Sequence, residues 1–173
     1  MTTETFSSVS DWPSGGFPGV RTNPDTLLPH IVNEEAMQSA LADSHDPADR
    51  IMALILEGHP GEAAELLAEA RYNDPESFKL RIFEAELHRA TNRFDRAVEL
   101  FRQLLGEVHG TGREAVVLQY LGRAYFVAGN PVAAAESFTK ALDIRVASAA
   151  DASLIYASAV ALQRARNVLE LAS

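Results

Sequence analysis

The residue types that most often carry out chemistry are present in this chain but are not grouped as catalysis or metal binding requires. No two of the five histidines share a helix face at the spacing i, i+4 that zinc sites and metalloproteases use. They are His30, His45, His59, His88 and His109. The chain has no cysteine, which excludes thiol nucleophiles, thiolate metal sites and disulfides. We therefore predict no metal site and no cofactor.

Other motif-like patterns have simpler explanations. The segment 106–113 is rich in glycine, but it lacks the Gly-Lys-Ser/Thr sequence that cradles phosphate, and it follows a predicted helix rather than a strand. No serine lies in a nucleophile-elbow motif. Neighbouring acids such as Glu84 and Glu86 fall on different faces of a predicted helix, where solvation is expected. The sequence therefore predicts a protein that is not an enzyme.

Charge and hydropathy narrow the classes of partner. The net charge is −9, and an acidic chain without a concentrated basic stripe is not expected to bind nucleic acid. The longest apolar run, residues 51–56, is far shorter than the roughly 20 residues that a membrane-spanning helix needs. The first residues have neither the basic segment nor the apolar core of a signal peptide. We predict a cytoplasmic protein with no membrane partner.

A short apolar pattern occurs three times. It consists of a small residue, a large apolar residue four positions later and another apolar residue three beyond that. The three sets are Ala63, Leu67 and Ala70, then Ala97, Phe101 and Leu104, then Ala134, Phe138 and Ala141. This spacing marks one face of a helix. A period of 34 and then 37 residues predicts stacked helical units, none of which can bury its apolar face alone.

Prolines and glycines divide the chain into two parts. Residues 1–32 hold four prolines among several glycines and predict an extended segment, either a flexible tail or a strip on the repeat surface. Residues 33–173 are predicted to form the repeat domain. A short helix is expected from the N-cap Asn33 to about residue 42. Helix pairs are expected near 47–57 with 61–72, 75–90 with 94–106 and 113–128 with 131–145, followed by a last helix over 151–171.

Three dipeptides predict helix starts, because an Asp or Asn N-cap followed by proline at the first helical position favours one. They are Asp46-Pro47, Asp74-Pro75 and Asn130-Pro131. The turns inside the three helix pairs are predicted at Gly58–Gly61, at Thr91-Asn92 and at Gly129-Asn130.

The third unit resembles a tetratricopeptide repeat. Its residues Leu118, Leu121, Gly122 and Tyr125, followed by Ala134, Phe138 and Ala141, stand at the family's spacing. The second unit has His88 where the family has tyrosine. The resemblance places repeats at about 44–77, 78–111 and 115–148, with a capping helix at about 151–171. It implies an all-α fold, a right-handed α-solenoid of helix-turn-helix repeats.

The resemblance also implies that the first helices of the pairs line a concave groove that binds a segment of a partner protein. The candidate groove residues are Met52, Ile55, Lys79, Ile82, Glu86, Arg89, Gln119, Arg123 and Phe126. Arg89 and Arg123 would donate to a partner carboxylate, and Phe126 would take an apolar anchor. Two bland alternatives stay open: the helix at 33–42 covers Met52 and Ile55, and the arginines are solvated or pair with Glu86.

The sequence thus predicts a non-enzymatic protein–protein interaction module. One alternative is a dedicated chaperone of an aggregation-prone partner. Another is a self-associating scaffold, a homodimer through apolar positions of the last helix that include Leu154, Ile155, Val160, Val168 and Leu169. A further idea is that Trp12 and Phe17 dock the N-terminal segment into the groove and control access to it.

Overall fold

The computed structural model describes residues 8–173. Within this range the chain forms a short N-terminal hairpin followed by eight α-helices. The elements are a 3₁₀ turn (Val9–Asp11), β1 (Val20–Thr22), β2 (Pro29–Ile31), α1 (Glu34–Asp43), α2 (Pro47–Leu56), α3 (Pro60–Asn73), α4 (Phe78–Ala90), α5 (Phe94–Val108), α6 (Glu114–Val127), α7 (Pro131–Ala147) and α8 (Ala152–Ala172). The predicted all-α solenoid of helix pairs is confirmed.

The repeated apolar residues form the interior of the solenoid. The pairs are α2 with α3, α4 with α5 and α6 with α7, and α8 packs on α7. Phe101 and Phe138, the large residues of the second and third sets, are almost completely buried. The small residues Ala63, Ala97 and Ala134 are fully buried as well, because a methyl side chain lets the two helices of a pair approach closely.

Glycine at position 122 is required by the closest of these helix contacts. A Cβ atom at Gly122 on α6 would lie 2.5 Å from Cε1 of Phe138 on α7, well inside van der Waals contact. The absence of a side chain at Gly122 therefore lets α7 lie close against α6.

The turns inside the three pairs share one geometry. A residue with positive φ follows the first helix of each pair, at Gly58 (79°), Asn92 (62°) and Gly129 (83°). The amide of the next residue then donates to a carbonyl five positions back, at 2.8 to 2.9 Å. This bond satisfies an end carbonyl of the helix in the manner of a Schellman motif. The predicted turn positions are confirmed.

Three of the four predicted N-caps are confirmed. Side-chain oxygens of Asn33, Asp46 and Asn130 accept hydrogen bonds from backbone amides two or three residues later. The prediction at Asp74-Pro75 is wrong: the amide of Asp74 donates to the carbonyl of Ala70 at 2.9 Å and so completes α3. The chain needs a further turn before α4, which begins after Ser77, whose Oγ accepts from the amide of Leu80 at 3.3 Å.

Residues 8–32 fold into a compact antiparallel hairpin that packs on the helices. Val20 pairs with Ile31 and Thr22 with Pro29. Gly19 has φ +78°, and a Cβ atom there would lie 2.3 Å from the carbonyl oxygen of Asn33. Only glycine fits this contact between the hairpin and the start of α1.

Four hairpin residues are buried: Pro13, Val20, Pro24 and Leu27. Leu27 is 2% exposed and belongs to a cluster with Phe138 of α7 and Ala161 and Leu162 of α8. Its positive φ of 60° is an uncommon conformation for a leucine. The burial of its side chain therefore has to compensate for backbone strain at this position.

Candidate protein-binding groove

The first helices of the three pairs line one groove, and the N-terminal hairpin lies in it. Helices α2, α4 and α6 contribute Met52, Ile55, Leu56, Phe83, Glu86, Arg89, Tyr120 and Arg123, and the hairpin contributes Gly15, Val20 and Pro29. The space left between them measures only about 30 Å³. The chain therefore fills its own groove with an extended, proline-containing segment.

The apolar end of this groove is covered, but not by the helix that the sequence suggested. Met52 and Ile55 on α2 face Val20 and Pro29 of the hairpin and are only partly exposed. Strand β2 runs beside α2 and so takes the place that the alternative reading assigned to α1.

The charged residues at the centre of the groove neutralise one another in part. Arg89 Nε lies 3.0 Å from Glu86 Oε1 one turn along α4, and Arg123 Nη1 of α6 lies 3.5 Å from Glu86 Oε2. The relative exposures of Glu86 and Arg89 are only 4% and 7%. The alternative in which both arginines pair with Glu86 describes their geometry. A buried carboxylate shared by two guanidiniums leaves one positive charge in excess at this point.

Two predicted groove residues have structural contacts instead. Lys79 Nζ lies 3.0 Å from Asp46 Oδ2 and 2.9 Å from Asp49 Oδ1, and so joins the second repeat to the first. Ile82 is 3% exposed and packs in the core with Phe101 and Val117. Its placement on the groove surface is therefore wrong, because this face of α4 contacts its neighbouring helices.

Gln119 and Phe126 lie where the hairpin meets α7 and α8. Gln119 Oε1 accepts a hydrogen bond of 2.8 Å from Ser158 Oγ on α8. The Phe126 ring is partly buried against the cluster that holds Leu27, and the guanidinium carbon of Arg164 stands 5.9 Å from its centroid. Phe126 therefore belongs to the surface on which the hairpin packs, and its ring is not open to a partner side chain.

The docking residues of the hairpin differ from the two aromatics that the sequence singled out. Trp12 is partly exposed and packs edge-on against His30 of the same hairpin, with the ring centroids 6.0 Å apart. Phe17 is partly exposed too. The buried residues of the hairpin are instead Pro13, Val20, Pro24 and Leu27.

The last helix holds the hairpin both by apolar contacts, in which Ala161 and Leu162 pack with Leu27, and by hydrogen bonds. Tyr156 Oη donates to the carbonyl of Asp11 at 2.7 Å, and Arg164 Nε donates to that of Asp25 at 2.8 Å. Of the apolar positions that suggested a homodimer, Val160 is only 6% exposed, whereas Leu154 is 44% exposed. The hairpin thus accounts for some of the apolar character that favoured self-association.

Sequence reasoning missed Arg145. It follows Phe138 and Ala141 on the buried stripe of α7 and is only 5% exposed. The signal was available, because positions 138, 141 and 145 share one helix face. A cation on an apolar stripe is unusual unless it is paired.

The stacked antiparallel pairs and the groove along their first helices define a helical repeat protein. The family model of the tetratricopeptide repeat matches residues 54–115, from the end of α2 to the start of α6. This part of the chain is therefore similar to tetratricopeptide repeats. The unit that most resembles the family by its residues, α6 with α7, lies almost entirely beyond the matched range. No curated protein and no solved structure gives a match.

Two kinds of feature are absent from residues 8–173. In this range no helix combines the length and the apolar character needed to cross a bilayer. Nor do three or more side chains of His, Asp or Glu gather there in an arrangement that could hold a metal ion.

His88 makes stability depend on pH. Burial lowers the pKa of His88 below its ordinary 6.5, and Arg93 adds to this effect. Its Nδ1 is buried without a hydrogen-bond partner among residues 8–173. The unfolded chain therefore takes up a proton at His88 more readily than the folded protein does. The contribution of neutral His88 to stability is present above about pH 6.5 and is lost progressively as the pH falls below that value. We expect His88→Leu to reduce the loss of stability between about pH 7.5 and 5.5, measured by urea unfolding. Identical pH dependence in both proteins would contradict this.

Proposed function

We propose that this chain binds an extended segment of a partner protein in the groove lined by α2, α4 and α6. Tetratricopeptide repeats are in general protein–protein interaction modules. The observation that supports the proposal is that the groove accommodates a non-helical segment, the hairpin, and buries the Val20 side chain of this segment. Residues 8–32 occupy this groove until a partner segment displaces them.

The chemistry of the groove indicates what such a segment needs. At the α2 end Met52, Ile55 and Leu56 contact valine and proline, so the partner should offer small aliphatic residues there. At the centre the excess positive charge around Arg89 and Arg123 favours a segment that carries a carboxylate. The expected partner is an extended, proline-containing segment that is acidic beside its aliphatic anchors.

A peptide-binding experiment tests this proposal. A fluorescent peptide of residues 8–32 is added to full-length protein, and its anisotropy is measured. Wild-type protein should bind it weakly, because the tethered hairpin acts at an effective concentration near millimolar. The double variant Val20→Ser, Leu27→Ser weakens its own hairpin and should bind the peptide about tenfold tighter or better. The control Val9→Ser, at an exposed position, should resemble the wild type.

Adding Met52→Glu to the double variant should remove the binding of the peptide while circular dichroism shows unchanged helicity. A peptide that binds regardless of Met52 would overturn the groove model. The double variant can also be used to capture proteins from a lysate. Captured proteins that no longer bind when Met52→Glu is added would be the natural partners.

The two alternatives have distinct outcomes. A captured protein that is insoluble alone and soluble when co-expressed would make the chain a dedicated chaperone. A two-chain mass by light scattering at high micromolar concentration would favour the self-associating scaffold, with the exposed Leu154 and Leu171 as first positions to change. A single-chain mass would discard it.

A further inference from the structure

A second cavity lies beneath the hairpin at the other end of the repeat array. It measures about 200 Å³ and is enclosed by the hairpin, α6, α7 and α8. This volume holds several water molecules. Its walls are largely apolar and include Leu27, Phe138, Val160 and Ala161, whereas Arg123, Arg145 and Tyr120 stand out as cationic or hydrogen-bonding groups.

Arg145 is held rigidly in the wall of this cavity. Its Nη1 donates to Ser158 Oγ at 2.8 Å and to the carbonyl of Leu154 at 3.0 Å, and lies 3.5 Å from Gln119 Oε1. All three interactions use the same nitrogen. Nε and Nη2 donate no hydrogen bond to any of residues 8–173. Together Nε and Nη2 form the fork that binds a carboxylate with two parallel hydrogen bonds.

No carboxylate of the described part of the chain balances the charge of Arg145. None of residues 8–173 forms a salt bridge with it. Burial lowers the pKa of Arg145, but an arginine remains protonated at neutral pH. A buried ion without a counter-ion costs several kcal/mol. In a chain of net charge −9, an unbalanced cation in the interior is therefore unexpected unless an anion joins it.

Two more groups at the cavity strengthen its preference for an anion. Arg123 shares the carboxylate of Glu86 with Arg89, so part of its charge is not neutralised. Burial raises the pKa of Tyr120, and its hydroxyl therefore stays protonated as a donor. The Tyr120 hydroxyl makes no hydrogen bond within residues 8–173, although its ring stacks on Phe101 at 5.8 Å between centroids.

We propose that this cavity binds a small monocarboxylic acid, with its carboxylate on the fork of Arg145 and its apolar body against Leu27, Phe138 and Val160. The combination of one unpaired cation with apolar walls selects an amphipathic acid over a fully hydrated inorganic anion. The volume limits the acid to about the size of hexanoate or benzoate. The cavity would be present with the hairpin docked even if the groove bound no partner segment.

The hairpin completes the site, which couples binding of the acid to hairpin docking. Pro13, Thr22 and Leu27 supply one wall, and the exposed residues Ser14 and Ser153 stand where the cavity reaches the surface. An acid that binds only when this wall is in place must stabilise the docked hairpin. It would thereby oppose release of the groove to a partner.

The test is calorimetric titration of the full-length chain with hexanoate and benzoate, beside hexanol, benzamide and inorganic phosphate. We expect saturable binding of the two acids, and binding of the neutral analogues and phosphate at least tenfold weaker, because a charge-assisted hydrogen-bonded pair is lost or the apolar contact is missing. Arg145→Met should abolish binding. This variant should fold, since replacing an unpaired buried cation by an apolar side chain of similar length removes a desolvation cost. Arg166→Met, at an exposed position on α8, is the matched control.

Limited trypsin digestion supplies an independent readout. Arg21 in β1 is the first lysine or arginine of the sequence, and the next is Arg50, so cleavage after Arg21 reports the release of the hairpin. Benzoate should slow this cleavage in wild type and in Arg166→Met, but not in Arg145→Met. Acid binding that is equal in Arg145→Met, or no saturable heat in wild type, would overturn the proposal. Phosphate bound as tightly as benzoate would overturn the assignment to an amphipathic acid.

Discussion

Phe138→Ala is expected to lower the free energy of unfolding by about 3–5 kcal/mol. Phe138 is 1% exposed and contacts the backbone of α6 at Gly122. It also contacts Leu27 of the hairpin and Ala161 of α8. Truncation to alanine therefore opens a cavity that borders two helices and the hairpin at once.

Chemical denaturation followed by circular dichroism measures this effect. Val132→Ala on the same helix, where the side chain is 55% exposed, should change the stability by less than about 0.5 kcal/mol. Because stability in a repeat array depends on contacts between neighbours, the loss should appear in the whole transition rather than in one segment. A Phe138→Ala protein with wild-type stability would show that the register assigned to the third repeat is wrong.

Glu86→Gln is expected to cost about as much, 3–5 kcal/mol, for an electrostatic reason. Glu86 is the shared counter-ion of Arg89 and Arg123, and its side chain is 5% exposed. The isosteric amide keeps the shape of the side chain and an acceptor oxygen, but it leaves two guanidiniums without a negative charge inside the groove. Their mutual repulsion and incomplete solvation then oppose folding.

The matched control is Glu99→Gln on α5. Glu99 is paired with Arg96 at 2.8 Å, but the two side chains are 67% and 50% exposed. Solvent-exposed pairs contribute little, so this substitution should be nearly neutral. If Glu86→Gln were equally neutral in urea unfolding, Arg89 and Arg123 would have another counter-ion and the electrostatic description of the groove would be incorrect.

The helix pairs could be predicted from the sequence because their determinants are local. The sets around Leu67, Phe101 and Phe138 mark one helix face each, and the turns at Gly58, Asn92 and Gly129 stand at equivalent positions. The prediction of an N-cap at Asp74 was wrong for an equally local reason. Helix α3 continues to that residue, and proline at position 75 is equally compatible with a turn.

The groove could be predicted only in part, because its occupant depends on contacts far apart in the sequence. Residues 8–32 have no apolar period, so nothing local indicates that Leu27 packs against Ala161 and Leu162. The pairing of Arg89 with Glu86 follows from their i, i+3 spacing, but their burial depends on the hairpin. Ile82 was misplaced because neighbouring positions of a helix differ by 100° in direction, and a small error of phase moves a side chain from groove to core.

The docking of the hairpin also bears on the order in which the molecule acquires its structure. The helix pairs form from neighbours in the sequence, whereas Leu27 must wait for partners more than 100 residues later in the chain. Contacts of large sequence separation form slowly, and a ribosome delivers the N-terminus first. During synthesis the hairpin therefore emerges long before its seat on α7 and α8 exists, while the first two repeats can already pack together. A newly made chain therefore passes through a stage in which the hairpin is not yet docked, and α8, the last of the eight helices described here, completes its seat.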